Sequence, residues 1–147
     1  MKANRNRFSP LLNYWFYSVF GVLFLSGVIW LLIRYSDFAP WLLKIHGAAA
    51  MASLVILGVL IPMHMRRAWE RKRNQVTGIV MVGLCLVMIL SGYGLYYCGD
   101  ELWRAWLSGF HSVAGCLLPL ILVWHIFTGR QQRAQTSLAR KKSFYFH

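Results

Sequence analysis

Four histidines are the residues of this chain whose type and spacing could do chemistry: His46, His64, His111 and His125. Each lies in an apolar stretch, where an ionisable side chain marks a functional site by default. Residues 44–67, KIHGAAAMASLVILGVLIPMHMRR, carry one imidazole near each end, and the stretch from 105 to 128 carries the other two. Neutral imidazole binds iron well, and burial keeps it neutral. Set singly near a membrane interface, such a residue is more often just hydrogen-bonded, so the case rests on the set of four.

Spacing makes them a set. The 18-residue step from His46 to His64 turns a helix through about five whole turns. The 14-residue step from His111 to His125 falls about 40° short of four turns. Both members of each pair therefore face nearly the same way, and each helix offers one histidine stripe.

The composition says what kind of helix must carry those stripes. Of 147 residues, 58% are hydrophobic and 14% charged, with a mean hydropathy of +0.48. A soluble domain is roughly 45–50% apolar with about a quarter of its residues charged. Four apolar runs, at about 12–33, 41–65, 76–98 and 105–128, account for the excess. Each reaches the ~20 residues that cross a bilayer core as a helix. Strands are excluded, because alternation is absent and a closed barrel needs more segments. The expected fold is all-α: an integral membrane four-helix bundle over residues 1–130, followed by a basic tail over 131–147.

The net charge of +12 is spread over short segments between the runs, which argues against nucleic acid. Lys2, Arg5 and Arg7 precede helix 1, Arg66, Arg67, Arg71, Lys72 and Arg73 fill the second loop, and Arg130, Arg133, Arg140, Lys141 and Lys142 follow helix 4. The opposite side carries only Arg34, Lys44 and Arg104, offset by Asp37, Asp100 and Glu101. By the positive-inside rule both termini are cytoplasmic, and the expected location is the inner (cytoplasmic) membrane, multi-pass. Helix 1 reads as a retained signal anchor, since no small-residue cleavage site follows it. Aromatic residues cluster at the run ends, at headgroup level. Cys85, Cys98 and Cys116 form no CxxCH, so no covalently attached haem is expected. Cys85 and Cys116 are expected to pack as small hydrophobes.

With that topology helices 2 and 4 are parallel. His46 and His111 each lie five residues after a tryptophan, Trp41 and Trp106, and belong to the outer level. His64 and His125 precede Arg66 and Arg130 and belong to the inner level. The pattern suits two haems, each held by two histidines between helices 2 and 4. The two pairs differ in length, about 27 Å against about 21 Å at ~1.5 Å per residue. Tilt and Pro62 can absorb part of that difference. In helix 3, Gly78 and Gly92 are also 14 residues apart, and a glycine at each level leaves room for a flat porphyrin. Candidate propionate partners are Arg34, Lys44 and Arg104 outside and Arg66, Arg67 and Arg130 inside.

HisX13His on helix 4, ligand pairs on the second and fourth helices and GlyX13Gly on helix 3 resemble the four-helix core of cytochrome b of the bc complexes. The size resembles the small cytochrome b subunits that anchor respiratory dehydrogenases. HisX17His on helix 2, the lack of a glycine pair on helix 1 and the lack of a PEWY-like motif depart from the first family. The resemblance implies two non-covalent haems b, electron transfer across the membrane, partner redox subunits on the periplasmic or cytoplasmic side, and a link to quinone. Such a chain is an electron-transfer subunit rather than a stand-alone enzyme. Two alternatives stay open: a self-contained quinone-linked transmembrane reductase or oxidase, and a histidine-lined metal transporter.

Overall fold

The computed structural model describes residues 10–70 and 74–145, with side chains from 11 to 70 and from 74 to 138. Lys2, Arg5, Arg7, Arg71, Lys72, Arg73 and His147, together with the side chains of Arg140, Lys141 and Lys142, lie outside the described residues. Four helices, and among the described residues no strand, make up the chain: α1 Pro10–Ile33, α2 Ala39–Glu70, α3 Gln75–Tyr97 and α4 Glu101–Tyr145. All four are long and apolar enough to cross a membrane. Their outward faces suit hydrocarbon: Leu32 is 77% exposed and Leu90 68%. What they bury is small or hydroxylated: Ala39, Cys85, Ala114, Ser26, Ser53, Thr77 and Ser91. Lipid gives helices no hydrophobic reason to associate, so close approach through small residues and hydrogen bonds takes that role.

The chain divides into two compact units, 1–60 and 61–147, with the boundary inside α2. The first unit holds α1 and the start of α2. Its turn is closed by Ser36 N–H donating to Ile33 O at 2.9 Å and Ala39 N–H donating to Ser36 O at 3.1 Å. The second unit holds the end of α2 and an α3–α4 hairpin. Asp100 caps α4, its Oδ1 accepting from Trp103 N–H at 2.9 Å, with Glu101 following in the first turn. Gly94 admits Leu107 to the hairpin, where a Cβ would stand 2.9 Å from Leu107 Cδ1.

Helix α4 continues into the basic tail over 131–147. It runs 45 residues, through Gly129 and on to Tyr145. Residues 130–142 are rich in Arg, Gln, Ala, Leu and Lys, all good helix formers, and a single glycine costs only about 1 kcal/mol. The thiols divide as well: Cys85 is buried, whereas Cys116 is exposed on the outer face of α4 rather than packed inside.

Candidate functional site

In the first unit, α1 buries Ser26 to 4% exposure, and its hydroxyl donates back to the Val22 carbonyl at 2.6 Å. That leaves the Ser26 oxygen as an acceptor, 3.0 Å from His46 Nδ1. Nδ1 also lies 3.0 Å from the carbonyl oxygen of Leu23. A carbonyl can only accept, so Nδ1 carries the hydrogen and the lone pair of the neutral ring sits on Nε2. Gly27, the next residue along, makes the contact possible, because a Cβ there would stand 3.3 Å from His46 Cε1.

The second unit repeats this arrangement on α3 and α4. Ser91, 5% exposed, donates to Val87 O at 2.6 Å and stands 2.9 Å from His111 Nδ1. Gly92 follows it, with 3.3 Å between its would-be Cβ and His111 Cε1. With the serine hydrogen committed to the backbone, His111 is again the donor through Nδ1.

Thr77 and Gly78 face His125 in the same way. Thr77 Oγ1 donates to Asn74 Oδ1 and lies 2.9 Å from His125 Nδ1, and a Cβ at Gly78 would stand 3.8 Å from Cε1. Asn74 Nδ2 donates to the His125 carbonyl at 2.9 Å and passes 3.2 Å from Nδ1. The shorter contact decides between them: Nδ1–H donates to Thr77, and the asparagine amide serves the backbone. Asn74 is a hub. Its N–H donates to Gln132 Oε1 at 2.8 Å, and Thr128 Oγ1 lies 2.9 Å from its Oδ1. It stands in the left-handed region, with φ 51, just before α3 begins.

His64 is brought to His125. Their ring centroids are 5.8 Å apart with planes inclined at 60°. The longer step on α2 therefore does not separate them. Two imidazoles on opposite sides of one metal, each about 2 Å from it, place their centroids roughly 6 Å apart. A metal centre held by two imidazoles would suit that separation. His46 and His111 belong to different units, and each is described by its own neighbours.

Of the basic candidates, Arg67 lies near enough to His64 for its charge to act on the ring. Arg66 Nε pairs with Glu70 Oε1 at 3.1 Å across one exposed helical turn. Arg104 and Arg130 are exposed on α4. Arg34 lies over the Tyr35 ring at 4.8 Å and Lys44 over Trp41 at 4.5 Å. Gly92 leaves the room that a Cβ would take from the His111 ring, whereas at Gly78 a Cβ would make only ordinary contact with His125.

Sequence reasoning missed Ser26, Thr77, Ser91 and Asn74. Of the four buried hydroxylated side chains among the described residues, three serve a histidine. The available signal was the dipeptide Ser/Thr-Gly, present at 26–27, 77–78 and 91–92, though it also occurs at 108–109 and 128–129. Set against protein-family models, curated proteins and solved structures, the chain finds no match.

Proposed function

We propose that the chain carries electrons across the membrane through two b-type haems, with His64 and His125 as axial ligands of one and His46 and His111 of the other. The observation that carries this reading is the tautomer. Three of the four intramembrane histidines donate through Nδ1 to a serine, a threonine or a backbone carbonyl, which leaves Nε2 as the ligating nitrogen. Metal-bound histidines are held in this manner by a partner on the other ring nitrogen. The 5.8 Å separation of His64 from His125 supports the inner pair, and the sequence register supports the outer one.

When bound, each haem iron takes up and gives up one electron at a time. The chain supplies the rest: four imidazoles of fixed tautomer, hydroxyl partners that set their basicity, and apolar helices that keep water away. With both axial positions filled by protein there is no open position for substrate, so the role is transfer rather than turnover at iron. The chain then serves as the membrane subunit of a quinone-linked respiratory oxidoreductase, with both termini cytoplasmic. A visible spectrum of the purified protein, oxidised and reduced, tests the reading. Low-spin, six-coordinate bands in both states are expected, and a colourless or high-spin protein overturns it.

A further inference from the structure

The two units share a pattern that neither hydropathy nor histidine spacing brings out. Ser-Gly-X13-Trp-Leu-X3-His occurs twice, at residues 26–46 and at residues 91–111, an offset of 65. The same offset carries Val22 onto Val87, and each valine carbonyl accepts the hydroxyl of its own serine at 2.6 Å. Serine oxygen to Nδ1 is 3.0 Å in one copy and 2.9 Å in the other. The glycine Cβ would meet Cε1 at 3.3 Å in both. Apolar helices of arbitrary sequence share leucines. They do not share a tryptophan, a histidine, a Ser-Gly step and three matching distances at one offset.

We infer that α1 with the start of α2, and α3 with the start of α4, are two copies of one helix-hairpin module, and that Ser26 and Ser91 are equivalent positioning residues for His46 and His111. The equivalence ends at the inner level. The positions corresponding to Thr77, Gly78 and His125 are Leu12, Asn13 and Leu60, and His64 lies one helical turn beyond Leu60. The outer histidines are thus a matched pair. The inner ones are not: His125 has the Thr77–Asn74 network, and His64 has arisen outside the repeat.

This deepens the haem reading and, for its spectroscopic consequence, rests on it. An Nδ1–H that donates to an oxygen makes the imidazole a stronger donor to a metal, so losing the acceptor favours the reduced state. With His46 and His111 on one haem, as proposed, removing either serine should act on that haem in the same direction, less at Ser26, where the Leu23 carbonyl still accepts from His46.

The experiment uses the full-length haem-loaded protein with Ser26→Ala, Ser91→Ala and the double substitution, read by redox titration of each spectral component. Both single variants are expected to raise the midpoint of one and the same component, Ser26→Ala by less because the Leu23 carbonyl still accepts from His46, the double by about their sum, while Ser26→Thr and Ser91→Thr stay near wild type. Shifts in different components, or in one variant only, overturn the equivalence. Should either alanine variant fail to fold, cysteine at that position, a far weaker acceptor of similar size, takes its place. A second readout does not need haem: ¹⁵N-histidine NMR of the haem-free protein in micelles should show His46 and His111 protonated at Nδ1, His111 losing that preference only in Ser91→Ala, and His46, still held by the Leu23 carbonyl, shifting its Nδ1 resonance only in Ser26→Ala. Wild-type protein that binds no haem while both tautomers behave so overturns the proposed function and upholds the repeat. Histidine signals that do not respond to their own serine variant overturn the repeat.

Discussion

Thr77 Oγ1 stands 2.9 Å from His125 Nδ1 while giving its own hydrogen to Asn74, so the imidazole is the donor in that pair. Replacing Thr77 by valine keeps the shape and removes the acceptor. A buried donor left without a partner costs about 1–3 kcal/mol. Thr77→Val should therefore lower stability to denaturant by that amount and alter only the spectral component ligated by His64 and His125. Thr77→Ser should restore both. A valine variant with unchanged stability and spectrum would mean that Thr77 does not hold the ring.

Gly27 and Gly21 lie on the same helix but in different surroundings. A Cβ at Gly27 would stand 3.3 Å from the His46 ring, whereas nothing lies within 4 Å of a Cβ at Gly21. Gly27→Val should push the imidazole off α1 and lose the component ligated by His46, while Gly21→Val should leave the spectrum unchanged. Haem content and difference spectra of the two variants check this. Equal effects would contradict the close approach.

At Asn74 backbone and side chain can be separated. Its φ of 51 favours glycine or asparagine, and its amide serves His125, Thr77 and Thr128. Asn74→Gly keeps the backbone and loses the side-chain bonds, whereas Asn74→Ala adds the cost of the left-handed conformation, about 1 kcal/mol or more. Unfolding of the two variants should rank alanine below glycine and glycine below wild type. The opposite order would mean that the turn is not held in this conformation.

Much of the fold is legible in the sequence because hydrocarbon imposes long apolar runs, and runs of that length have few alternatives. The polar extension of α4 is not legible in the same way, since a polar helix leaves no mark in hydropathy. The histidine stripes follow from helical angle alone. Their partners do not: a serine in an apolar helix ordinarily bonds to its own backbone, and Ser26 does that as well. Only the neighbouring helix shows that its oxygen has a second task. The repeat was hidden for a related reason, because the eye follows the 14- and 18-residue steps within helices and not the 65-residue offset between hairpins.

The basic residues carry a separate expectation about sidedness. Reporters placed after His147 and near Lys72 should both read cytoplasm, and one near Asp100 the opposite side. Inverted results would exchange the inner and outer levels and leave the ligand pairs intact.

The proposed ligand pairing is open to mutation. His64→Ala and His125→Ala should each abolish the same spectral component, and the double variant should lose no more than either single, because two ligands of one iron act as a unit. His46→Ala and His111→Ala should together account for the other. Loss of one component by His46→Ala and His125→Ala would exchange the partners and contradict the pairing by level.

Haem stoichiometry tests the central claim most directly. Acid-acetone extraction of the purified full-length protein, with haem measured against protein, should release two haems b per chain, since neither is covalently attached. A ratio of one would remove His64 from the ligand set or the outer pair from the account, and a ratio of zero would contradict it altogether.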